Sequence, residues 1–102
     1  MLEKELEKKF REAVKAAGGR AYKFVSPGND GVPDRLVVLP GGRIGFVELK
    51  QKDKKPTPLQ RKRIQELRDL GCVALVLDRP EDFQDVINQV LQKVNIDEIY
   101  TT

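Results

Sequence analysis

Residues 72–77, CVALVL, run apolar without a polar break. A segment that short and that uniform fits a strand covered on both faces, as in sheets sandwiched between helices. Helical patterning flanks it. Residues 58–70 read as a helix closed by Gly71. Residues 80–93 read as another, opened by Asp78 and Pro80, with Phe83, Val86, Ile87, Val90 and Leu91 on its inner side. A strand reached through a helical crossover can lie parallel to its neighbour. The run therefore confines the chain to an α/β architecture.

The remaining segments agree. Leu2, Leu6, Phe10, Ala13, Val14 and Ala17 recur at helical spacing over residues 2–17, and Gly18-Gly19 ends that helix. Residues 20–25 read as a short strand, and residues 26–31, SPGNDG, as a loop of turn formers. Residues 34–39 and 43–50 are strands joined through Pro40-Gly41-Gly42 as a hairpin. Residues 51–58, QKDKKPTP, form a polar linker, and the tail VNIDEIYTT fits no single pattern. The order is αβββαβα. One central mixed sheet flanked by helices buries every apolar face, and 102 residues suffice for a single domain, 1–102.

Composition narrows the chemistry. The chain has no histidine and one cysteine, Cys72, which rules out an internal disulfide, a Cys/His zinc site and any histidine-based triad. Cys72 opens the apolar run and reads as a small buried hydrophobe. An enzyme of this composition must work through carboxylates, lysines, tyrosines or a metal. Lys plus Arg number 19 and Asp plus Glu 16, giving +3, a mild basic excess compatible with a polyanionic partner. No apolar run approaches a membrane span, and MLEKELEKKF lacks the apolar core of a signal peptide. A soluble cytoplasmic protein is expected, with no membrane partner and no small-molecule cofactor.

Charge placement in the hairpin is the functional signal. Along residues 43–50, Ile44, Phe46, Glu48 and Lys50 share one face, while Gly45, Val47 and Leu49 share the other. Asp34 begins the partner strand, directly after Pro33. An antiparallel hairpin sets the start of one strand against the end of the next, so Asp34 is predicted to lie beside Glu48 and Lys50. Two clustered carboxylates stay ionised near neutral pH only with a positive charge between them. A hard divalent cation such as Mg²⁺ fits, held by Asp34, Glu48 and the Leu49 backbone carbonyl. Lys50 then orients the attacking water or offsets developing negative charge. Hydrolysis of a phosphodiester needs these parts and no histidine. Alone, Glu-x-Lys is more often a solvated ion pair; its combination with Pro-Asp across a Gly-Gly turn is what carries the inference.

These pieces resemble the VRR-NUC branch of the PD-(D/E)xK nuclease superfamily. The similarity rests on GVPDRLVVLPGGRIGFVELK, PTPLQRKRIQELRDLG and VALVLDRPEDF, and it covers nearly the whole chain. It implies a restriction-endonuclease-like αβββαβ core plus a C-terminal helix, and Mg²⁺- or Mn²⁺-dependent cleavage of DNA. By position it makes Asp34 and Glu48 the metal-binding acids, Lys50 the catalytic lysine and Gln60 the downstream glutamine. A first-helix glutamate of the family falls on Glu7 by distance from Gly18-Gly19, with Glu3 competing one turn earlier. Gln60 also completes a capping box with Thr57 and Pro58. Stand-alone members resemble Holliday-junction resolvases and are frequent in phages, which implies a bacterial or phage-infected host cell, branched DNA as substrate and a homodimer, since a junction cut symmetrically needs two sites.

Lys52, Lys54, Lys55, Arg61, Lys62 and Arg63 crowd the linker and the second helix beside Lys50, and are candidate phosphate contacts. The loop before Asp34 adds Ser26 and Lys23. The alternative to a nuclease is a catalytically silent DNA-binding module, or a nuclease subunit of a larger replication-repair assembly.

Overall fold

The computed structural model describes residues 1–92, so the last residue of the expected C-terminal helix and the tail 94–102 lie outside it. The elements are α1 (Glu3–Ala16), β1 (Arg20–Lys23), β2 (Arg35–Leu39), β3 (Arg43–Leu49), α2 (Pro58–Asp69), β4 (Val73–Leu77), a short 3₁₀ turn (Pro80–Asp82) and α3 (Phe83–Gln92). Four strands lie in sequence order, β1-β2-β3-β4. The first two pairings are antiparallel and the last is parallel, as a helical crossover through α2 requires. The expected mixed sheet is therefore present.

Helices α1 and α3 share one face of this sheet. Leu6, Phe10 and Val14 from α1 meet Val37 and Leu39 of β2, Val47 and Leu49 of β3, Leu77 of β4, and Val86, Ile87 and Val90 of α3. Phe10 and Phe83 pack with ring centroids 5.5 Å apart. Each such side chain taken from water contributes about 1.5–3 kcal/mol, so this layer carries most of the folding free energy. Gly45 makes it possible: a Cβ there would stand 2.6 Å from a Val90 methyl, so α3 reaches β3 only over a bare backbone.

Helix α2 lies on the other face and is the smaller contributor, with Ile64 its buried residue over buried Ala74. Here the structure corrects the sequence reading. Residues 72–77 are not covered on both sides: Val76 is 39% exposed, and Cys72 is half-buried and precedes the strand. A helix of 12 residues does not span the outer face of four strands. The expected strand over 20–25 ends at Lys23, although the Phe24 N–H still donates to the Asp34 carbonyl at 2.8 Å.

Candidate active site

Pro33 is fully buried and Asp34 follows it at the mouth of β2. Register places Arg35 opposite Val47, so Asp34 falls opposite Glu48, on the outer face with Leu36 and Phe46. The two acids are locked reciprocally. The Asp34 N–H donates to Glu48 Oε1 at 3.2 Å, and the Leu49 N–H donates to Asp34 Oδ1 at 3.1 Å. The other Glu48 oxygen, Oε2, lies 3.3 Å from Lys50 Nζ. Glu48 is only 4% exposed. In extended backbone, N–H and C=O of one residue point to the same strand edge, so the Leu49 carbonyl also turns toward Asp34. The structure thus gathers Asp34, Glu48, Leu49 and Lys50 as the sequence predicted.

Electrostatics mark the pair as uncomfortable without a cation. Burial, and then the charge of Glu48, push the Asp34 carboxyl from 3.8 up to about 7. Burial also raises Glu48, opposed by the Lys50 ammonium. Both carboxyls are driven toward protonation, Asp34 by burial and the Glu48 charge and Glu48 chiefly by burial, and a nearby positive charge would oppose that drive. No group of three or more His, Cys, Asp or Glu side chains gathers to hold a metal among the described residues. Asp34 and Glu48, with the Leu49 carbonyl, are the residues here that could hold a divalent ion.

First-helix acids divide unexpectedly. Glu7 forms an ion pair with the Arg35 guanidinium, which also donates to the Ala21 carbonyl at 3.2 Å. Arg35 lies on the core side of β2, so this pair sits on the opposite sheet face from Asp34. Glu3 is the acid whose charge raises both Asp34 and Glu48. Arg35 was missed from sequence, but alternation held the clue. It shares a face with buried Val37 and Leu39, and a buried guanidinium needs an acid from the helix above.

Gln60 does form the capping box. Its Oε1 accepts from the Thr57 N–H at 2.9 Å, and its N–H donates to Thr57 Oγ1 at 3.2 Å. Its carbonyl oxygen is thereby engaged at the helix start, leaving the amide NH₂ as the group that can turn elsewhere. Among the candidate DNA contacts, Lys23, Lys52, Lys54, Lys55, Arg61 and Lys62 are exposed. Arg63 is not so placed: its Nε donates to the Asp30 carbonyl at 3.0 Å and its Nη1 pairs with Glu66 at 3.2 Å. It fastens the 26–31 loop to α2. Gly31, at φ +86°, lets that loop run against Leu59, whose side chain would stand 2.8 Å from any Cβ. Ser26 Oγ accepts from Asn29 Nδ2 at 3.0 Å, an internal turn bond. Lys52 faces a groove of about 480 Å³ with residues 78–82. Asp78 there is held below the usual carboxylate range by its hydrogen bond to Arg79, with Lys52 a lesser influence. That groove excludes Asp34 and Glu48, and its mixed charge makes it the poorer place for phosphate.

A mixed four-stranded sheet carrying Pro-Asp opposite Glu-x-Lys is the framework of a PD-(D/E)xK nuclease domain. Comparison with known proteins agrees. A solved structure described as "VRR_NUC domain" superposes with a TM-score of 0.74 at 32% identity, covering 90% of this chain and 97% of that one. A protein of Acyrthosiphon pisum secondary endosymbiont phage 1, named "Putative nuclease p44", is 46% identical over 93 residues, 91% of this chain and 95% of its own length. No family model matches. The chain belongs to the VRR-NUC family of that superfamily. No helix among the described residues is long and apolar enough to cross a membrane.

Proposed function

We propose that this protein is a metal-dependent endonuclease that hydrolyses DNA phosphodiester bonds, with a preference for branched DNA such as a Holliday junction. The observation that carries the reading is the buried, reciprocally bonded pair Asp34 and Glu48 with Lys50 against it. DNA binding alone gains nothing from carboxylates beside phosphate, which repel it. Mg²⁺ or Mn²⁺, held by Asp34, Glu48 and the Leu49 carbonyl, supplies positive charge that draws a phosphodiester in and offsets the charge of its transition state. Lys50, tethered to Glu48, orients the attacking water or meets the developing negative charge. Glu7 is engaged by Arg35, which leaves Glu3, whose charge acts on both acids, as the first-helix acid to test at the site. Gln60, whose NH₂ is not used in the capping box, contributes from α2. Exposed Lys52, Lys54, Lys55, Arg61 and Lys62 hold the backbone beyond the scissile phosphate, with Lys23 and Ser26 across from them.

Preference for branched DNA rests on family likeness. A homodimer follows if both strands of a junction are cut symmetrically. The test is incubation of the protein with four-way, flap, duplex and single-stranded DNA, with Mg²⁺ and with EDTA. Cleavage of the four-way substrate in Mg²⁺, lost in EDTA, is expected. Binding of every substrate with no cut in either Mg²⁺ or Mn²⁺ would instead identify a silent DNA-binding module.

A further inference from the structure

A second basic surface lies away from the linker. Lys4, Lys8, Arg11 and Lys15 follow one another along α1 at spacings of four, three and four, which places them in one stripe, and all are exposed. This stripe adjoins Glu7, whose bond to Arg35 fixes how α1 is rolled over β2. The cations therefore project past β2 toward β1, the edge strand of the sheet. Between α1 and that edge runs a groove of about 270 Å³, lined by Arg11, Lys15, Gly19, Arg20, Ala21 and Tyr22.

Three features of the groove bear on its occupant. It holds three cationic side chains and no acid. The side chains of Arg11, Lys15 and Arg20 make no ion pair or hydrogen bond among the described residues. Tyr22 stands 51% exposed beside them, offering an aromatic face and a hydroxyl. Three like charges around so small a volume repel, and a bound polyanion relieves that repulsion. The groove is also connected to the site. From Arg20 the edge strand runs to Lys23, roughly 10 Å at strand rise, and Lys23 pairs with Arg35, the neighbour of Asp34.

We propose that this groove is a second DNA-backbone site, in which Arg11, Lys15 and Arg20 grip phosphates of the arm that continues away from the scissile bond. The proposal rests on the nuclease reading and adds to it the path of the substrate. The linker cations hold the DNA near Asp34 on the outer face, and the arm that continues past Lys23 rounds the exposed β1 edge to the α1–β1 groove, so the scissile phosphate lies between two anchors. Such contacts carry no sequence information, in keeping with a substrate chosen by shape.

The experiment measures DNA affinity by fluorescence anisotropy from 50 to 200 mM salt, using the full chain with Asp34→Asn to prevent cutting. Into this parent go Arg11→Gln, Lys15→Gln and Arg20→Gln together. Each lost phosphate contact lowers the slope of log K against log salt by about 0.9, so the triple variant is expected to be shallower by roughly 2–3. Lys9→Gln, an exposed cation of α1 outside the stripe, makes the same charge change as Lys15→Gln alone and is expected to leave the slope where it was. All these positions are exposed, and an unchanged melting temperature confirms the fold. A triple variant with the parent slope, or Lys9→Gln matching Lys15→Gln, overturns the groove assignment while the nuclease reading stands. A parent that binds no DNA at all overturns both.

Discussion

Lys50→Met is expected to lower DNA cleavage by about 100- to 1,000-fold, with DNA affinity changed far less. Lys50 is one of many cations available for binding, but the one held 3.3 Å from Glu48 Oε2 and largely buried there. An ammonium fixed in a poorly hydrated pocket meets transition-state charge without reorganising, and loss of one such group commonly costs that factor. Exposed Lys54 and Lys55 are solvated and move freely, so neither can substitute. Asp34→Asn is expected to be at least as damaging. It keeps an acceptor for the Leu49 N–H, so the backbone geometry survives, but removes the charge that holds a cation. Rates are read with a four-way DNA substrate in Mg²⁺, beside thermal melts that verify folding. Either variant cutting at the wild-type rate would remove that residue from the site.

The same Asp34→Asn change is expected to stabilise the protein in the absence of divalent ions, and only above acidic pH. Asp34 titrates at about 7 in the folded chain against 3.8 as a free side chain, so folding raises its affinity for a proton. Between those values the unfolded chain has lost a proton that the folded one retains, and stability falls as pH rises. Its contribution is thus intact below about pH 4 and lost as pH passes through about 7. Asparagine stays neutral throughout and escapes the loss. After allowance for the partial exposure of Asp34, the gain at pH 8 is about 1–3 kcal/mol, several degrees in melting temperature, shrinking toward zero at pH 4. Differential scanning fluorimetry in EDTA at both pH values reads it directly. A variant less stable than wild type at pH 8 would mean that the carboxylate is well accommodated as an anion and that the acid pair stores no repulsion. Stability sacrificed at a working site is a common bargain.

The acid cluster was legible because it depends on the shortest period in protein structure. Alternation along residues 43–50 and the sense of a hairpin are enough to set Asp34 against Glu48, and the observed register agrees. Helices α1, α2 and α3 were legible from apolar spacing, and α2 also from its Thr57–Gln60 capping box, whereas Pro80 opens a 3₁₀ turn and α3 itself begins only at Phe83. What escaped depended on which partner a charge finds across elements. Glu7 and Glu3 both flank the apolar stripe of α1, and spacing does not say that Glu7 is the one to meet Arg35. Arg63 looked like a phosphate contact because sequence does not show the Asp30 carbonyl within its reach. Val76 was expected to be covered because an apolar run does not reveal how far a neighbouring helix extends. The α1 stripe went unread in sequence, because charges on the outer side of an amphipathic helix are ordinary and only the placement of the helix beside β1 makes a groove of them.

The most direct measurement of the central claim is a Mn²⁺ titration followed by the paramagnetic signal of the free ion, with a non-cleavable four-way DNA present. Saturable binding is expected for the wild-type chain, lost in Asp34→Asn and in Glu48→Gln and kept in Lys9→Gln. Equal Mn²⁺ uptake by the wild type and both acid variants, or none by any of them, would contradict the account.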